Sequence, residues 1–119
     1  MLSAGPAPGA DNFVVVAGDH YDPHKRDRTP ALLEVSGVDA VHSLWALLTD
    51  WEPDAPEDAA SMEPVRLTVC FRQSRVPVVS VGLKSRSVRS DRWGPCDRFL
   101  RGPGLAEWLA EQGIDPSRV

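Results

Sequence analysis

VRLTVCFRQSRVPVVSVGL, residues 65–83, decides the fold. Val65, Leu67, Val69 and Phe71 alternate with Arg66, Thr68, Cys70 and Arg72, the period of two that puts apolar side chains on one face of a strand and polar ones on the other. Gln73 to Arg75 reads as a turn, and Val76 to Leu83 returns as a partner strand that can run on through Lys84 to Val88. In the second strand Val79, Val81 and Leu83 share one parity, leaving Ser80, Gly82, Lys84 and Arg86 on the other. A connection this short forces an antiparallel pair, with one face expected in the core and one open.

Upstream, Asn12 to Ala17 and Ala31 to Val35 are short β-branched or apolar runs that read as two strands pairing with each other. The thirteen residues between them, Gly18 to Pro30, are long for a hairpin connection and suit a binding loop. Ser36 with Asp39 resembles a capping box, and Val38, Val41, Leu44, Trp45, Leu48 and Trp51 recur at helical spacing, predicting an amphipathic helix over 37–50. Asp50 to Pro64 holds six acids, three prolines and no basic residue, and reads as an acidic solvated loop.

Downstream, residues 89–102 lack a clean period and read as irregular, with Trp93, Phe99 and Leu100 tucking in. Pro103 at a start and Gly113 at a stop frame a last helix carrying Leu105, Trp108 and Leu109, with Ile114 placed for a Schellman-type contact. The order is β-β-α-β-β-α. It predicts a single α+β domain, a four-stranded, mainly antiparallel sheet with two helices on one face, spanning 12–119 behind a flexible lead over 1–11.

The chain has 119 residues, enough for one core rather than two, and its 42% hydrophobic and 25% charged fractions are those of a folded protein. No apolar run approaches the roughly 20 residues of a membrane-spanning helix, and the Ala/Gly/Pro-rich start lacks a secretory pattern, so no membrane partner and a cytoplasmic location are expected. Eleven arginines against two lysines, with a single isoleucine, suggest a GC-rich bacterial or phage genome. Cys70 and Cys96 form no CxxC pair; Trp93-Gly94-Pro95-Cys96 resembles part of a thioredoxin-type motif, but Trp93 stands where its other cysteine is required.

The net charge of −4 conceals a strong separation. Residues 1–64 hold three basic and twelve acidic side chains, −9; residues 65–101 hold nine and two, +7; residues 102–119 hold one and three, −2. On the strand parity above, Arg66, Arg72, Lys84 and Arg86 share the open hairpin face, followed by Arg89 and Arg92. Arginines in such a patch suit bidentate contact with carboxylate or phosphate. The opposing patch is acidic: Asp50, Trp51, Glu52, Asp54, Glu57 and Asp58, where Trp51 supplies an apolar anchor or else completes the helix stripe.

Two further chemistries are legible. His20, Asp22 and His24 can share one side of an extended loop, a donor set that suits zinc or another transition metal, although the spacing is no recognised motif; ordinary loop residues, with no cofactor, account for them equally simply. No nucleophile elbow, phosphate-cradling loop or dinucleotide fingerprint is present, so no catalytic residue is assigned and the chain reads as non-enzymatic.

A short chain with segregated charge and four tryptophans points to a protein-binding module of inhibitor, immunity or regulatory type, an analogy of size and charge rather than of family. The expected partner is another protein, docked through the acidic loop or the basic face; self-association through opposite charges is the variant in which the partner is a second copy. Two other readings stand beside it: a nucleic-acid-associated protein using the basic hairpin, for which the pI of 5.3 is unfavourable, and a small metal-dependent enzyme built on the loop around residues 19–24.

Overall fold

The computed structural model describes residues 9–18, 31–52, 64–93 and 97–115. The β-branched run near the N-terminus forms β1 (Asn12–Ala17), and β2 (Leu33–Ser36) returns beside it. Helix α1 (Val38–Leu48) leads to the hairpin β3 (Leu67–Gln73) and β4 (Val76–Leu83). Then come β5 (Ser87–Arg89), a 3-10 turn at Asp91–Trp93, β6 (Arg98–Phe99) and helix α2 (Gly104–Glu111). The strands form one antiparallel sheet in the order β2-β1-β3-β4-β5-β6. Because β2 and β3 both run antiparallel to the β1 between them, they are parallel to each other, and α1 carries the chain across.

Register explains the core. Phe13 faces Phe71, Val15 faces Val69, and Val69 and Leu67 face Val81 and Leu83, so one parity from three strands makes a continuous apolar face. Helix α1 lays Val41, Leu44, Trp45 and Leu48 on it, and α2 adds Leu105 and Leu109; all join one buried cluster. Phe71 takes Trp45 edge-on, ring centroids 5.6 Å apart, and Phe13 packs at 6.0 Å from Trp108. Among the described residues no helix is long and apolar enough to cross a membrane.

The helix ends follow sequence chemistry unequally. At the end of α2, Gly113 adopts φ 76, Ile114 N–H donates to Leu109 O at 2.9 Å, and Gly113 N–H donates to Ala110 O at 3.0 Å, the expected Schellman arrangement with Ile114 buried. At the start of α1 the expected capping box does not form. Ser36 is spent as the last residue of β2, and Gly37, with φ 125 and no side-chain cap, makes the corner instead. Only Asp39 keeps its place in the first turn.

Three expectations are corrected. The sheet has six strands rather than four: β4 stops at Leu83, Lys84 N–H closes a turn onto Ser87 O at 2.9 Å, so that Ser87 and Val88, read as a continuation of the second strand, begin β5, and the region read as irregular supplies Arg89 and β6. These strands of three and two residues are too short to show a period. The element order accordingly lengthens to β-β-α-β-β-β-β-α. The third correction concerns the hairpin's second face, which is not open. Thr68 and Cys70 are as buried as their apolar neighbours, and Thr68 Oγ1 donates to Gly18 O at 2.7 Å.

Of the predicted lead, residues 1–8 lie outside the described residues; Ala10 is buried in the core cluster, and Asp11 N–H donates to Arg72 O at 2.9 Å.

Candidate functional site

The hairpin arginines do not form one patch; the fold distributes them over four places. Arg72 lies at the turn end of β3, where its Nε donates to Asn12 Oδ1 at 2.8 Å while Asn12 Nδ2 donates to Ser74 O at 2.9 Å. Arg89 is exposed on β5 opposite Gly82. Arg92 places its guanidinium 4.9 Å from the centre of the Trp45 ring. Arg66, Lys84 and Arg86 converge at the other end of the sheet.

That convergence forms a cleft of about 620 Å³, within the size range of ligand-binding pockets. Arg66 enters it from the residue preceding β3, held by its backbone N–H on Leu83 O at 2.8 Å. Lys84, Ser85 and Arg86 enter from the turn between β4 and β5. Leu105, Ala106 and Leu109 line it from one side of α2, with Leu100, Arg101, Gly102 and Pro103 leading into that helix and Asp115 beyond its end. Cationic groups and an aliphatic helix surface therefore share a single concavity.

The four cations are not equivalent. Lys84 Nζ lies 2.8 Å from Asp97 Oδ2, both side chains almost wholly buried, so its charge is matched inside the protein. Arg101 meets the Asp50 carboxylate at 2.7 Å on the surface, and that hydrogen bond and charge raise the pKa of the guanidinium further. Arg66 and Arg86 have no ion-pair partner among the described residues. Arg86 is exposed, whereas Arg66 Nε is buried with no hydrogen-bond partner. A buried donor left unmatched costs about 1–3 kcal/mol.

Helix α2 adds polarity of the same sign. Pro103 occupies its N-cap without a side-chain hydrogen bond, and the positive end of the helix dipole lies beside the cleft.

The acidic patch is only partly described. Asp54, Glu57 and Asp58 lie outside the described residues; Asp50 is committed to Arg101, and Glu52 is exposed with its N–H on Phe99 O. Trp51 lies beyond the end of α1 and is half-buried. Its Nε1 donates to Leu48 O at 3.0 Å, and its ring meets Trp93 edge-on at 5.0 Å. Trp93 in turn packs 6.0 Å from Trp45, so its ring tucks in between two other tryptophans. His20, Asp22 and His24 fall outside the described residues, as does Cys96; among the described residues no group of three metal-binding side chains converges.

Sequence reasoning reached Arg66, Lys84 and Arg86 but missed the helix half of the cleft. Leu105 and Leu109 read as core, and nothing in Gly102-Pro103-Gly104 reveals that β6 delivers this helix start to the turn after β4. The available signal was Arg101 beside the helix-opening Gly-Pro-Gly, a cation at a helix start.

No family model matches the chain, and neither the curated proteins nor the solved structures give a significant match.

Proposed function

We propose that this chain is a small non-enzymatic protein-binding module of inhibitor, immunity or regulatory type, and that the cleft receives an acidic part of its partner. The observation that carries this reading is the pairing of Arg66 and Arg86, neither matched by a carboxylate among the described residues, with one side of α2 in one concavity. Arginine binds carboxylates in a forked geometry and is enriched at protein interfaces, while Leu100 and Ala106 offer apolar area beside it.

Two observations favour a protein over a nucleic acid. Basic groups are dispersed to separate ends of the sheet instead of tracking one backbone-wide path, and the Trp93 ring packs against Trp45 and Trp51 instead of presenting a platform for a base. The acidic segment keeps its place as a second docking element through Asp50, Glu52, Asp54, Glu57 and Asp58.

The test is affinity capture from nuclease-treated lysate using the full chain and an Arg66→Gln, Arg86→Glu variant in parallel. The expected result is one protein held near equal stoichiometry by the first and lost by the second. Equal recovery on both, or recovery that disappears with nuclease, refutes the reading.

A further inference from the structure

Resting on that reading, we infer that the cleft recognises the C-terminal carboxylate of a partner polypeptide whose last side chains are aliphatic. The chemistry of the walls sets the class. Arg66 lines the cleft with no ion-pair partner among the described residues, and Arg86 is a second guanidinium exposed in the same cleft; together they call for a small anion with two acceptor atoms. Leu100 and Ala106 call for hydrocarbon at the same place. Phosphate satisfies the first demand and leaves the second unmet. A neutral aliphatic chain does the reverse.

A chain terminus meets both. Its carboxylate and its last side chain branch from one Cα atom, so charge and hydrocarbon enter a pocket together. An internal Glu or Asp holds its charge out on its own side chain, away from the neighbouring apolar residue. The size agrees: about 620 Å³ accommodates a chain end of a few residues. The N-terminal end of α2, with Pro103 at its N-cap, lies on the same cleft wall as Arg101, and the positive end of the helix dipole favours an anion there.

The internal ion pairs make the assignment selective. Asp97 matches Lys84 and Asp50 matches Arg101, while Asp115 adds one carboxylate to the lining; set against Arg66 and Arg86, that leaves one positive charge for the ligand. A monoanion fits this balance, and a densely charged polyanion does not.

The experiment is an NMR titration of the full chain with the peptide N-acetyl-Gly-Ala-Leu-Leu as free acid, the same peptide as C-terminal amide, inorganic phosphate, and octanoate. The free acid is expected to shift the amides of Ser85, Arg86, Leu105 and Ala106 saturably, and the amide form to bind about tenfold weaker or less, the loss expected when a charge-assisted hydrogen bond is removed. Ala106→Glu, at an exposed position on the cleft wall, is expected to abolish the shifts while leaving the rest of the spectrum in place. Equal affinity for acid and amide overturns the inference, as does binding of phosphate or octanoate tighter than the peptide acid, or the absence of saturable shifts at millimolar peptide. Should any of these occur while protein capture still depends on Arg66 and Arg86, the terminal carboxylate is refuted and the binding-module reading survives. Should capture be independent of both arginines while the peptide acid binds, the reverse holds.

Discussion

Lys84 Nζ and Asp97 Oδ2 lie 2.8 Å apart with side chains 4% and 2% exposed, an ion pair almost sealed from water beneath the cleft. Desolvating two charges offsets most of their attraction, so the pair adds little net stability, yet each member depends on the other. Asp97→Ala is expected to lower unfolding free energy by about 3–5 kcal/mol, and a Lys84→Met, Asp97→Leu double variant to recover most of that loss. Urea denaturation of the three proteins checks it; a double variant no better than the single one contradicts the account.

The surface pair Asp50 and Arg101 is expected to behave oppositely. Their side chains are 50% and 62% exposed, so water and salt screen the attraction. Arg101→Gln should leave the thermal midpoint unchanged within error in moderate salt. A clear drop would show that the backbone bond from Arg101 N–H to Asp50 O depends on the side-chain contact.

Acid sensitivity should trace in part to Asp11. Its Oδ1 accepts from Asn12 Nδ2 and from the Ser74 N–H, and these two bonds, the first the larger, hold the carboxyl below its ordinary value of 3.8. A depressed folded-state value stabilises the fold while the carboxylate is charged. The contribution is complete above the ordinary value and fades as pH falls through the lowered one. Asp11→Asn should therefore flatten the dependence of stability on pH below about 4 and leave its slope above that range unchanged. Denaturation midpoints across pH 2 to 6, for wild type and variant, would show whether the slopes differ only at the acid end.

Two glycines should rank by backbone conformation alone. A Cβ at Gly37 or at Gly113 meets no atom within 4 Å, yet their φ values are 125 and 76. The second lies in the left-handed helical region, where Ala costs about 1 kcal/mol; the first lies where side chains are almost never found, at about 1–3 kcal/mol. Gly37→Ala should thus destabilise more than Gly113→Ala, and Gly113→Asn less than either. Equal losses would place the cost somewhere other than φ.

Much of this architecture was legible because long elements advertise a period. Val65 to Phe71 and Val38 to Leu48 each carry enough repeats to fix type and inner face, and Gly113-Ile114 encodes its cap within a few residues. Arg98–Phe99 has no such redundancy. Its strand exists because Val88 and Ser87 lie alongside, an interaction that no local pattern records.

The distribution of the basic side chains was less legible for a related reason. Alternation predicts which way Arg66 and Arg72 leave the strand, but not that Lys84 sits past the strand's end or that Asp97 comes to meet it. The cleft itself is a product of tertiary convergence: its cations were visible as a charge excess, and its aliphatic half was indistinguishable from core.

The position of β1 between β2 and β3 bears on the order of assembly. A hairpin of β1 with β2 needs only the first 36 residues, but β1 closes its other side on β3, where Asn12 pairs with Arg72, 60 positions later. Emerging from a ribosome, the first strand therefore waits with one row of amides and carbonyls unanswered until α1 and the acidic segment have passed. That interval, rather than the finished fold, is when this chain is most open to joining the wrong neighbour.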